Sequence, residues 1–146
     1  MTDLINVDGK CYCGDISIKG TVATAMVMAC HCTDCQKFSG APFRAVAFMP
    51  AENIEITGSV KEYLKTADSG NERLQGFCGN CGSQIYATDP AKTTFMVRTG
   101  CLTQFSSLVP VKHIFGSSMA EWLSSIGQKT WVSTGPTSAE ITPPTK

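Results

Sequence analysis

The sequence has no excess of charge of either sign, and that absence narrows its function. Its 146 residues carry 12 basic and 12 acidic side chains, for a formal net charge of zero. The basic residues are scattered from Lys10 to Lys146. They form no stripe that could track a phosphate backbone, so no nucleic-acid partner is expected. No apolar run is long enough to span a bilayer, so no membrane partner is expected either. The opening residues, Met1-Thr2-Asp3-Leu4-Ile5-Asn6, lack the basic and apolar regions of a signal peptide, and a cytoplasmic protein is expected. Charged residues make up 16% and apolar residues 42% of the chain. That is too little charge for a disordered chain and enough apolar material for one modest core. With no internal repeat and no linker, the length fits one domain.

Cysteine, by contrast, is plentiful: Cys11, Cys13, Cys30, Cys32, Cys35, Cys78, Cys81 and Cys101. In a reducing compartment such a set points to metal ligation rather than disulfides. Seven of the eight fall into three groups, Cys11-x-Cys13, Cys30-x-Cys32-x-x-Cys35 and Cys78-x-x-Cys81. Zinc takes four ligands in a tetrahedron. The two dyads, Cys11/Cys13 and Cys78/Cys81, supply four and would make a closed structural site, with Gly79 and Gly82 allowing backbone amides to turn toward the sulfurs. The triplet Cys30/Cys32/Cys35 supplies three and leaves one position open, as catalytic zinc sites do. Two other arrangements remain open: Cys101 could close the second site, or the triplet could hold redox-active thiols.

The rest of the chain reads as short strands separated by glycine-rich turns. Strands are expected over 12–19, 21–29, 43–49, 73–77, 84–87 and 93–99, with a hairpin over 54–64. Thr33-Asp34-Cys35-Gln36 has the form of a capping box opening one helical turn. Met119, Trp122, Leu123 and Ile126 fall at helical spacing, with Gly127 placed to end a helix. Residues 133–146 hold three prolines and no apolar periodicity, and are expected to form a flexible tail behind a single β domain over 1–132.

Several blocks resemble one known family. Gly9-Lys10-Cys11-Tyr12-Cys13-Gly14 resembles the opening of the glutathione-dependent formaldehyde-activating (GFA) enzymes. The run from Cys30 to Ala41 is similar to their C-H-C-x-x-C-R/Q-K-x-x-G-A signature. Phe77-Cys78-Gly79-Asn80-Cys81-Gly82-Ser83-Gln84-Ile85 resembles their F-C-x-x-C-G-S block. His113-Ile114 and Ser117-Ser118-Met119-Ala120-Glu121-Trp122 resemble the later H-I and S-S-K-A-x-W region, with Met119 in place of lysine.

The resemblance implies a mainly β, Mss4-like single domain of antiparallel sheets, a β-tent stapled by two zinc ions. It implies a structural zinc on Cys11, Cys13, Cys78 and Cys81, and an active-site zinc on Cys30, Cys32 and Cys35. The activity implied is that of a carbon–sulfur lyase joining formaldehyde to glutathione as S-(hydroxymethyl)glutathione. The implied partner is therefore a small thiol such as glutathione or its aldehyde adduct. The alternative is a non-catalytic, zinc-stabilised β module that binds a protein or a thiol. His31 and His113 are expected to be structural, with a proton-shuttle role open for His113. Arg44, Arg98 and Lys37 could bind a carboxylate, although ordinary surface charges are the simpler expectation. Trp122 and Phe115 are expected in the core.

Overall fold

The computed structural model describes residues 3–67 and 69–143. The chain runs through β1 (Leu4–Lys10), β2 (Ser17–Ala23), β3 (Val27–Cys30), α1 (Thr33–Ser39), β4 (Arg44–Pro50), β5 (Ile54–Thr57), β6 (Val60–Thr66), β7 (Glu72–Cys78), β8 (Gln84–Thr88), β9 (Thr94–Arg98), β10 (Lys112–Ile114), β11 (Trp131–Val132) and β12 (Glu140–Ile141). The strands form a three-stranded sheet, β1-β2-β5, a seven-stranded sheet, β10-β3-β4-β9-β8-β7-β6, and a two-stranded sheet, β11-β12. Neighbouring strands are antiparallel, apart from the parallel pair β10 and β3. The mainly β, antiparallel architecture expected from the sequence is therefore present.

Side-chain alternation along the strands explains where the core and the site lie. Ala47, Met49, Val97 and Tyr86 share the inner face of the large sheet and pack with Val7, Ile18 and Val22 of the small one. The opposite face carries Arg44, Val46, Phe48, Met96, Arg98 and Gln75, and forms one wall of a cavity. One sheet thus buries a hydrophobic core on one side and presents polar groups to a site on the other.

The structure corrects several local expectations. Residues 12–16 form a turn rather than the start of a strand, closed by Cys11 N to Ile16 O (3.0 Å) and Gly14 N to Cys11 O (3.1 Å). The run 21–29 is split at a 3-10 turn, Thr24–Met26, so its two halves join different sheets. The expected hairpin over 54–64 is absent, because β5 pairs with β2 and β6 with β7. β1 was not anticipated, although Ile5 and Val7 alternate with polar neighbours.

The expected helix near residue 120 is instead a 3-10 segment, Glu121–Gln128, in which Ser124 and Ser125 donate back to the carbonyls of Glu121 and Trp122. Such local bonds compete with the α-helical ladder. Its apolar residues do not reach the core: Trp122 is 55% exposed, and Phe115, also expected inside, is 60% exposed. Beyond it, β11 and β12 pair across the expected start of the tail, with Ser133 N donating to Ala139 O. Residues 144–146 of that tail lie outside the described residues.

Gly58 sits where the chain changes sheets, at φ +105°, and an added Cβ there would lie 2.3 Å from the Asp15 carbonyl oxygen. Both the left-handed conformation and the backbone clash oppose a side chain. Gly58→Ala is expected to cost about 2 kcal/mol or more of stability. Urea unfolding would measure it, and a loss under about 0.5 kcal/mol would contradict the packing described.

Candidate metal centres and the cavity beside them

Cys11 follows the last residue of β1, and Cys13 lies two residues on in the turn that Gly14 closes. Cys78 ends β7, and Cys81 lies in the β7–β8 turn, where Gly82 N donates to Cys78 O (2.9 Å). Gly14 and Gly82 occupy matching left-handed positions directly after Cys13 and Cys81. The two turns meet: Tyr12 N donates to Ser83 Oγ (3.0 Å), and Ser83 Oγ lies 3.2 Å from Cys81 Sγ. Cys13 Sγ is 3.6 Å from Cys11 Sγ and 3.7 Å from Cys78 Sγ, a contact spanning 65 positions of sequence. Thiolates about 2.3 Å from a shared tetrahedral ion would be about 3.8 Å apart. All four sulfurs lie within 4.8 Å of one another. The donor set and its spacing therefore fit a four-coordinate metal ion.

The second group, Cys30, Cys32 and Cys35, meets the same 4.8 Å limit. Cys30 ends β3, opposite Arg44 of β4. Cys32, not Thr33, is the N-cap of α1, and its sulfur accepts from the Cys35 amide at 3.3 Å. A thiol thus takes the place usually held by a hydroxyl or carboxylate oxygen, and helix capping brings two of the three sulfurs together. The neighbouring Cys30 thiol, with Arg44 alongside, lowers the Cys35 pKa despite burial.

Cys101 belongs to neither group; its thiol donates to the Gln84 carbonyl at 3.1 Å. His31 is buried, but its Nε2 lies 2.8 Å from His113 Nδ1 and its ring stands outside the cysteine group. Burial, followed by the neighbouring His113, lowers the His31 pKa and favours the neutral ring. Gln36 Nε2 joins the carbonyls of His31 (3.0 Å) and Ser118 (2.9 Å), tying α1 to the segment after β10.

The triplet opens into a cavity of about 320 Å³, at the small end for ligand pockets. Its walls include Arg44, Arg98, Gln75 and Phe115. Arg44 and Arg98 are not surface charges, as the sequence alone suggested; both are buried. Lys37 is exposed, as expected, and does not line the cavity. Burial and the neighbouring Arg44 push Arg98 down to about 9, still cationic at neutral pH. Arg44 opens β4 and Arg98 ends β9, and nothing in their sequence neighbours marks them as buried.

The sequence profile of the glutathione-dependent formaldehyde-activating enzymes matches residues 6–118. The chain belongs to this family. An uncharacterized lyase of Schizosaccharomyces pombe is 29% identical to it over 79 residues. That alignment covers 54% of this chain and 55% of the yeast protein, so the match spans about half of each. A Rhodobacter sphaeroides protein of known crystal structure shares the fold, with a TM-score of 0.56 at 18% identity over 73% of this chain and 98% of that one. The GFA profile takes in all eight cysteines and ends at Ser118, the residue Gln36 holds. Among the described residues, no helix is long and apolar enough to cross a membrane.

Proposed function

We propose that the chain binds two zinc ions and makes or breaks the carbon–sulfur bond of a thiol–aldehyde adduct, RSH + CH₂O ⇌ RS–CH₂OH. The observation that carries this reading is a group of three cysteines, with room for one more ligand, opening into a small cavity walled by two buried guanidinium groups. Cys11, Cys13, Cys78 and Cys81 would hold a structural zinc, and Cys30, Cys32 and Cys35 the second. A zinc ion on three thiolates offers a fourth, open position that favours a thiol in its deprotonated form.

The chain's own groups prepare that position. Cys32 and Cys35 are set by the N-terminus of α1, where the helix dipole and the Cys35 amide favour negative sulfur. Arg44 and Arg98 place positive charge beside the cavity, and their burial strengthens their effect on an anion. In the addition, the sulfur lone pair forms the S–C bond. The carbonyl π electrons move to oxygen, which takes up the proton the thiol has lost. The GFA family and the lyase name of the yeast relative support this class of reaction. Residues 1–132 are the working unit in this reading, placed in a reducing cytoplasm where the thiols stay free.

Purified protein is expected to carry two zinc ions per chain and to turn over a thiol with formaldehyde, and a chelator is expected to abolish the turnover. Metal analysis and NMR of the adduct check both. A fully loaded sample holding one zinc would sink the two-site scheme. A loaded sample without turnover would leave the chain a zinc-stabilised binding module.

A further inference from the structure

Arg44 is 6% exposed and Arg98 8% exposed, and among the described residues neither is paired with an acid. The ion pairs given by the described residues are Lys65 with Asp34, which line the same cavity but pair with each other, and Lys92 with Glu62. The two guanidinium groups meet on one amide oxygen. Gln75 Oε1 accepts from Arg44 Nη1 at 3.0 Å and from Arg98 Nη2 at 3.2 Å. Gln84 Oε1 and the Met96 carbonyl accept further bonds at 3.3 Å each. The Nε of each arginine is buried without any partner. A buried cation is costly unless matched by charge and hydrogen bonds, and two side by side repel as well. A structural role alone does not explain two cations, two unused N–H groups and a shared cavity wall.

A triplet carrying zinc supplies about one negative charge, which offsets one guanidinium and leaves the other. The unused donors lie on planar forks, whose geometry suits a carboxylate better than a single sulfur. Arg44 stands opposite Cys30 across β3 and β4, and both arginines line one cavity with Cys30, Cys32 and Cys35, so the pair lies beside the second metal position. A carboxylate reaching it must sit close to whatever atom occupies that position.

We infer that Arg44 and Arg98, held together by Gln75, form a carboxylate subsite, and that the thiol substrate bears its carboxylate within two or three bonds of sulfur. The inference rests on the thiol chemistry proposed above and narrows its substrate to short mercapto acids. In glutathione both carboxylates stand several bonds farther from the sulfur.

Cobalt(II)-loaded protein gives a direct test, because a thiolate entering the second site adds a sulfur-to-cobalt charge-transfer band. Titrations would use mercaptoacetate, 2-mercaptoethanol and glutathione. Mercaptoacetate is expected to bind about tenfold or more tighter than 2-mercaptoethanol, and the preference is expected to vanish in Arg98→Met. Glutathione is expected to lose no more than 2-mercaptoethanol does in that variant. Equal affinities of the two small thiols for the native protein would overturn the inference, and that comparison needs no variant to fold. A preference that persists in Arg98→Met would overturn it too, since the carboxylate would then be binding the metal itself. A loss for glutathione as large as that for mercaptoacetate would overturn the short spacing. No new band with any thiol would instead refute the proposed function.

Discussion

Cys78→Ser is expected to abolish the folded state, whereas Cys35→Ser is expected to leave it largely intact. The four sulfurs around Cys78 join the end of β1 to the β7–β8 turn, and so tie the small sheet to the large one. The turn before β2 meets the β7–β8 turn there, where Tyr12 N donates to Ser83 Oγ. Structural zinc in small domains contributes about 10–16 kcal/mol of apparent binding free energy, which becomes folding free energy. A domain of this size is stable by only about 5–15 kcal/mol in total. Losing a buried thiolate from that site therefore removes an amount comparable to the whole stability.

The triplet lies differently. Its three residues fall within six positions of one another, on β3 and the start of α1, and join no distant strands. In Cys35→Ser, Cys32 still accepts the amide of residue 35, so α1 keeps its cap. The cost is expected to be about 1–3 kcal/mol, as for an ordinary buried substitution. Far-UV circular dichroism and guanidinium unfolding of the two variants decide the matter. Equal losses would contradict the division into a structural and an open site.

The cysteine groups were legible in the sequence because metal ligation imposes short spacings that survive without knowledge of the fold. The strand over Arg44–Pro50 and the strands flanking the Cys78–Cys81 turn were legible too, as apolar runs bounded by turn residues. Strand pairing was not. Ile54–Ile56 and Val60–Leu64 look like a hairpin at short range, but the edge of β2 and the edge of β7 each offer a partner, and the two segments divide between them. The exposed Trp122 shows the same limit: helical spacing says which residues share a face, not that anything covers it. Arg44 and Arg98 were hidden for a related reason. A buried cation depends on what the fold brings beside it, here Gln75 from β7 and the cysteines of β3 and α1.

Zinc-loaded protein is expected to act on thiol–aldehyde adducts far faster than it hydrolyses esters. The reason is the size of the proton-transfer problem each substrate sets. A thiol with pKa near 8.5 must be shifted by about 1.5 units to ionise at neutral pH, roughly 2 kcal/mol. Water, with pKa near 15.7, must be shifted by about 9 units, roughly 12 kcal/mol. Neutral histidine ligands leave zinc about two positive charges with which to do this; three thiolates leave it about one negative charge. Arg44 and Arg98 restore positive charge near the site. They favour hydroxide and thiolate alike, so they do not reverse the preference set by the cysteines. Soft ligands at a soft site favour sulfur further. The site can therefore supply the small shift and falls short of the large one. Parallel assays of adduct exchange and of an activated ester, on one preparation and with chelator controls, would measure the ratio. An expected ratio of about a thousand or more in kcat/KM corresponds to only about 4 kcal/mol of the roughly 10 kcal/mol difference above. Efficient zinc-dependent ester hydrolysis with no thiol present would refute the charge argument. It would also reopen His31, which now lies 2.8 Å from His113 beside the cysteine group, as a ligand.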